Sequence, residues 1–118
     1  LEKLPRFVKE IDGEKLFPVA NKTIFALTSH THGNADFFRF ENLSAVGEVT
    51  IYNRDELKIK AESDGELLLK LYAKEGVKAF SRIEGMFCAA IYDGENLILV
   101  RDAIGKRPLF YTNSKNNF

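Results

Sequence analysis

The sequence predicts an α+β fold built from layers of antiparallel strands and helices, and three observations predict it. A strong amphipathic helix begins at a capping signal, Ser63 to Glu66. The strand that follows, Met86-Phe87-Cys88-Ala89-Ala90-Ile91-Tyr92, is apolar at both alternating sets of positions, so it calls for cover on both sides. Two consecutive helices can cover only one side of such a strand. A second sheet is then expected to cover the other.

Taken in order, the segment from Leu1 to Ser44 is the least informative. Asp12-Gly13 makes a turn, and Leu16-Phe17-Pro18-Val19-Ala20 and Thr23-Ile24-Phe25-Ala26-Leu27-Thr28 read as strands joined at Asn21-Lys22 into a hairpin. Ser29 to Asp36 is a polar loop, and Phe37-Phe38-Arg39-Phe40 resumes strand character. His30 and His32, with Asp36, are candidate metal ligands, because imidazoles at i and i+2 on a strand face the same side. No second ligand cluster exists to complete the coordination, so they read as solvated loop histidines and no metal is expected. Ala45 to Asn53 reads as a strand, and Arg54-Asp55-Glu56-Leu57 starts a helical turn.

In the central helix, the Ser63 hydroxyl is placed to take an orphan amide while the Glu66 carboxylate reaches back to the Ser63 amide. Leu67, Leu68, Leu71 and Tyr72 stack on one face, with Lys70, Lys74 and Glu75 left for water, and Gly76 ends the helix. Val77, Phe80 and Ile83 repeat the pattern over a shorter helix closed by Gly85. After the strand from Met86 to Tyr92, Asp93-Gly94-Glu95 turns the chain and Leu97-Ile98-Leu99-Val100 runs back beside it as a hairpin. A charged connection from Arg101 to Pro108 opens into a third strand, Leu109-Phe110-Tyr111, followed by a polar turn from Thr112 to Asn117.

Composition narrows the function classes. A chain of 118 residues, 45% hydrophobic and 29% charged, is one domain's worth of sequence with material for a core. No apolar run reaches the roughly 20 residues of a membrane helix, and no signal-peptide pattern is visible. Lysine plus arginine equals aspartate plus glutamate at 17 each, so no net field draws nucleic acid or an anionic membrane. The single cysteine excludes an internal disulfide and agrees with a reducing, cytoplasmic setting. A start at Leu1 and a stop just after a polar turn read as a piece of a longer protein.

Three motifs in series carry a resemblance. Ser63-Asp64-x-Glu66-x-Leu68-Leu69, Gly85-Met86-Phe87-x-x-Ala90-Ile91-x-Asp93 and Arg101-Asp102-x-x-Gly105-x-Arg107-Pro108-Leu109-Phe110-Tyr111 resemble the glutaminase domain of asparagine synthetases. That domain is a class II glutamine amidotransferase of the N-terminal nucleophile (Ntn) hydrolase type. The match is specific from Ser63 to Tyr111 and reaches back weakly to Val46. It implies a four-layer α/β/β/α sandwich of antiparallel sheets, present here in whole or in part, as a single domain over residues 1–118. It also implies a synthetase domain as partner, in cis or in trans, which this chain does not contain. ATP and Mg are expected only in that partner, and no cofactor in this domain. Glutamine is the ligand to consider, and a homodimer is an open assembly.

The resemblance also says what chemistry to look for. The family uses a cysteine as first residue of the mature chain, whose thiolate attacks the glutamine amide while its own amine acts as base. Leu1 can do neither. The family's Asn-Gly-Glu-Ile-Tyr-Asn stretch, which supplies the oxyanion donors, aligns without gaps when anchored on Ile51-Tyr52-Asn53. Glu48-Val49-Thr50 then lies over Asn-Gly-Glu. An alternative anchor on Gly47-Glu48 puts Val46 at the asparagine and leaves two extra residues. The gapless register is preferred, and in neither can Val46 or Glu48 replace the asparagine donor, whose loss typically costs about 2.7 to 4 kcal/mol of barrier stabilisation.

Cys88, flanked by Phe87, Ala89 and Ala90, reads as a packed core residue rather than a substitute nucleophile. Asp64 matches the family position that holds the α-amino group of glutamine. Its plainer role is to complement the helix dipole. Asp64, Gly47 and Glu48 are the candidate substrate site, read as vestigial, and no catalytic residue is assigned. Arg101 and Asp102 match the family but read as structural. The expectation is a glutamine amidotransferase-like domain of an asparagine synthetase-related protein, degenerate as a glutaminase. The alternative is an active glutamine-hydrolysing domain of an ATP-dependent asparagine synthetase whose N-terminal cysteine lies outside this sequence.

Overall fold

The structure, a computed structural model, describes residues 15–20, 23–27 and 35–111. Strands β1 (Lys15–Ala20) and β2 (Thr23–Leu27) form an antiparallel hairpin, a two-stranded sheet of their own. Strands β3 (Asp36–Phe40), β4 (Leu43–Ile51), β5 (Gly85–Tyr92) and β6 (Leu97–Arg101) form a second, fully antiparallel sheet in the order β3-β4-β5-β6. Between β4 and β5 the chain makes a single turn of helix, α1 (Arg54–Leu57), the long helix α2 (Asp64–Glu75) and a 3-10 helix over Gly76–Arg82. The architecture is therefore α+β.

Helix α2 starts where the capping signal puts it. Ser63 is the N-cap, and its Oγ accepts from the Glu66 amide at 3.1 Å. The return arm is displaced by one residue, since Glu66 Oε2 accepts from the Glu62 amide at 2.7 Å rather than from Ser63. Glu66 also pairs with Lys70 one turn on, at 2.6 Å. Gly76, at φ +68°, ends the helix in a conformation that a side chain would resist. Leu67, Leu68, Leu69 and Leu71 are all fully buried, so the apolar stripe is wider than the sequence reading by one leucine. At the first turn Gly65 lies against the ring of Phe38, where a Cβ would overlap it, and this brings α2 down onto β3.

The second short helix is corrected in kind. The Val77, Phe80, Ile83 spacing of three is the period of a 3-10 helix, and that is what forms. Val77 faces solvent while Ala79 and Ile83 carry the burial. Gly85 does not close this helix. It begins β5 opposite Ile51, where a Cβ would overlap the Thr50 carbonyl.

The β5–β6 hairpin pairs as expected, with Tyr92 opposite Leu97 and Cys88 opposite Arg101. Strand alternation divides the sheet into two faces. Ala45, Ile51, Phe87, Ala89 and Ile91 lie on the helix side and are buried in one core with the α2 leucines. Cys88 and Ala90 alternate to the other side, which is half-exposed. Cys88 is thus not the core residue expected, because its side of β5 faces away from α2. The third strand expected at Leu109-Phe110-Tyr111 is also absent. That stretch joins no ladder, and Phe110 and Tyr111 are exposed.

Asp102 fixes the connection after β6. Its side chain accepts from the amides of Phe87 at 3.2 Å and Lys106 at 3.1 Å, while its own amide donates to the Phe87 carbonyl at 2.8 Å. Burial pushes its carboxyl pKa up, but the amides of Lys106, Phe87, Gly105 and Arg107 together win, and the value lies below the ordinary 3.8. The residue is a structural clamp between β5 and the loop.

Candidate functional site

The candidate site lies where β4 ends and α2 begins. The cap at Ser63 sets the first turn of α2 so that the Asp64 carboxylate points back at the last residue of β4. Asp64 Oδ2 accepts from the Ile51 amide at 2.9 Å. Oδ1 pairs with the Arg54 guanidinium, whose second nitrogen donates to the Ala61 carbonyl at 2.6 Å. Arg54 thus ties the loop before α2 to the helix start. The Asp64 side chain retains 21% of its exposure and that of Arg54 38%, so the pair is partly screened by water.

Asn53, next to Arg54, supports the same corner. Its side chain donates to the Arg82 carbonyl and accepts from the Glu84 amide, both at 2.9 Å, and the Tyr52 amide donates to the Glu84 carbonyl at 2.7 Å. The end of β4 is thereby held on one side by the helix start and on the other by the segment leading into β5. Tyr52 itself is exposed.

The structure does not gather the three candidate residues into one cluster. Gly47 faces the helix side opposite Ala89, and a Cβ there would overlap the Cys88 carbonyl, so glycine is needed for close approach of β4 to β5. Glu48 is the next residue and alternates to the other face, where its carboxylate lies 3.3 Å from Arg107 Nε. Asp64 engages Ile51, a residue on the helix side. Glu48 thus pairs with Arg107 while Asp64 holds the main-chain amide at the end of β4, so the two carboxylates have different partners.

An ionised Glu48 carboxylate is an acceptor only, and Asp64 is an acceptor already holding two donors. These two carboxylates can bind a cation or an N–H group, and neither is itself a donor to a developing oxyanion. Among the described residues no group of three or more His, Cys, Asp or Glu could hold a metal ion. His30 and His32 lie outside the described residues, and Asp36 uses Oδ1 to accept from the Phe37 amide at 2.8 Å. No described helix is long and apolar enough to cross a membrane.

Sequence reasoning missed Arg54 and Asn53. Their partners stand between 7 and 31 positions away, and no local periodicity marks such pairs. The one available signal was a cation and an amide placed directly after the strand end.

Comparison with known proteins bears on the same stretch. A family model described as a glutamine amidotransferase domain matches residues 34–118. Among curated proteins, the chain is 41% identical over 75 residues to an asparagine synthetase [glutamine-hydrolyzing] 2 of Bacillus subtilis, covering 56% of this chain and 10% of that protein. It is 35% identical over 66 residues to a carboxyethyl-arginine beta-lactam-synthase of Streptomyces clavuligerus, covering 51% of this chain and 13% of the other. It is 34% identical over 71 residues to the asparagine synthetase [glutamine-hydrolyzing] of Mus musculus, covering 58% and 13%. The aligned part is thus a small share of each relative. No solved structure gives a significant match.

Proposed function

The chain belongs to the glutamine amidotransferase domain family, and from that premise we propose that it is the amidotransferase-like domain of an asparagine synthetase-related protein and does not itself hydrolyse glutamine. The observation that carries this reading is Glu48. In the gapless register it stands where the family has its oxyanion-donating asparagine, and it is a carboxylate paired with Arg107. An acceptor at that position would repel a developing oxyanion.

Further parts of the reading follow from the family. The partner is a synthetase domain, in cis or in trans, and ATP and Mg belong to its chemistry. The half-exposed face of the four-stranded sheet is the face a second sheet would cover in a four-layer sandwich, which supports that arrangement for the whole protein. The location is cytoplasmic. Of Asp64, Gly47 and Glu48, Asp64 is the remnant of a glutamine site.

Ammonia release from glutamine tests the reading. The 118-residue chain should release none above the rate without protein. Turnover that disappears on Cys88→Ala would overturn it and make Cys88 a nucleophile.

A further inference from the structure

We propose that Arg54 is a built-in occupant of the Asp64 carboxylate, standing where the ammonium of an α-amino acid would bind and keeping the site closed to it. The inference rests on the reading of Asp64 as the remnant of a glutamine site, and it says why that remnant would be silent. Three observations carry it. Arg54 and Asp64 are in direct ionic contact, so this carboxylate already has a counter-ion. Arg54 is anchored at two points, Asp64 and the Ala61 carbonyl at 2.6 Å, so its guanidinium is positioned as a fork. The other Asp64 oxygen holds the Ile51 amide at 2.9 Å, which keeps the carboxylate aimed at the end of β4 whether or not Arg54 is present.

A carboxylate with both oxygens engaged still has lone pairs free, and Asp64 is partly open to solvent. What Arg54 removes is the net negative charge that would attract a second cation. An occupant competes with a ligand as a closed state does, weakening apparent affinity by the fraction of time the site is free. If Arg54 holds Asp64 nine-tenths of the time, freeing the site strengthens ammonium binding about tenfold.

The test titrates glutamine into the full chain and into Arg54→Gln, following backbone amide resonances at Ile51 and Asp64. Saturable binding is expected to be at least about tenfold tighter in Arg54→Gln than in the parent. It should be lost again in Arg54→Gln/Asp64→Asn and with N-acetylglutamine, whose amine is blocked. Equal affinity in parent and variant overturns the proposal, as does absence of binding in a folded Arg54→Gln, or binding that N-acetylglutamine reproduces. Should Arg54→Gln fail to fold, Arg54→Met serves. It keeps an apolar stem but removes the charge and the donors to Asp64 and Ala61, and it must still bind glutamine more tightly than the parent. Ammonia release is followed in the same samples. Turnover sinks the non-hydrolysing reading and leaves the Arg54 result to be judged by affinity alone.

Discussion

Two neighbouring alanines on β5 should respond very differently to the same substitution. Ala89 is 2% exposed, between Phe87 and Ile91 on the helix face. It packs so closely on Gly47 that a Cβ built on that glycine would lie 2.9 Å from the Ala89 Cβ. A carboxylate at Ala89→Asp has no room to turn toward water. Leaving a charge buried and unpaired costs about 3–5 kcal/mol. For 118 residues the unfolding entropy is roughly 0.25 kcal/mol per kelvin, so a loss of ~4 kcal/mol lowers the melting midpoint by ~16 °C. Total stability at this length is on the order of 6–18 kcal/mol, so a weakly stable parent would unfold outright. Ala90→Asp adds the same carboxylate on the half-exposed face, beside Val46 and Leu99 in the register, and should cost about 1 kcal/mol or ~4 °C. Thermal melts by circular dichroism on the parent and both variants decide it. If Ala89→Asp melts within a degree or two of the parent, β5 does not bury that face against α2. If Ala90→Asp falls as far as Ala89→Asp, the other face is fully covered in this chain and the division of the sheet is wrong.

Removing the helix cap with Ser63→Ala should destabilise the chain by about 1 kcal/mol, read as a lower urea midpoint at unchanged slope, and Ser63→Asn should recover most of it. No change on Ser63→Ala would mean that the Glu62–Glu66 bond alone sets the helix start. Acid should weaken the fold. Asp93 is held below its ordinary 3.8 by the amides of Asn96 and Glu95, and Asp102 is held low by its loop amides. With folded values below unfolded ones, this stability is fully present above about pH 4 and is lost as pH falls through the folded values. A urea midpoint that stays level from about pH 4 down to about pH 2.5 would contradict it.

Much of the fold was legible because its signals were local. The Ser63 cap, the Gly76 stop and the two apolar runs around Asp93-Gly94 each lie within a few residues of what they cause, and each is present in the structure. The readings that failed depended on what lies across space. Leu69 falls off a narrow helical stripe, yet it is buried because α2 is enclosed by more than one neighbour. Cys88 sits in an apolar run, but only pairing and the position of α2 decide which side of β5 is the inner one. Leu109 to Tyr111 has the residue types of a strand without a ladder to join. At the site, Asp64 was legible from its motif, whereas Arg54 was not, because the loop before α2 must fold back to bring it there.

The sheet order sets the sequence of events by which the molecule assembles. The β3–β4 and β5–β6 pairs are joined by short turns, and α2 closes on its own hydrogen bonds, so each can form within its own stretch of chain. The central pair is different, because β4 and β5 stand side by side only after everything from Arg54 to Glu84 has been looped between them. Loop closure sets the entropy of that step, and the Asn53 contacts to Arg82 and Glu84 pinch the loop at its neck. Until β5 is in place, the edge of β4 that pairs with it is unmatched. That interval, more than the finished fold, is when this chain is most open to association with another copy of itself.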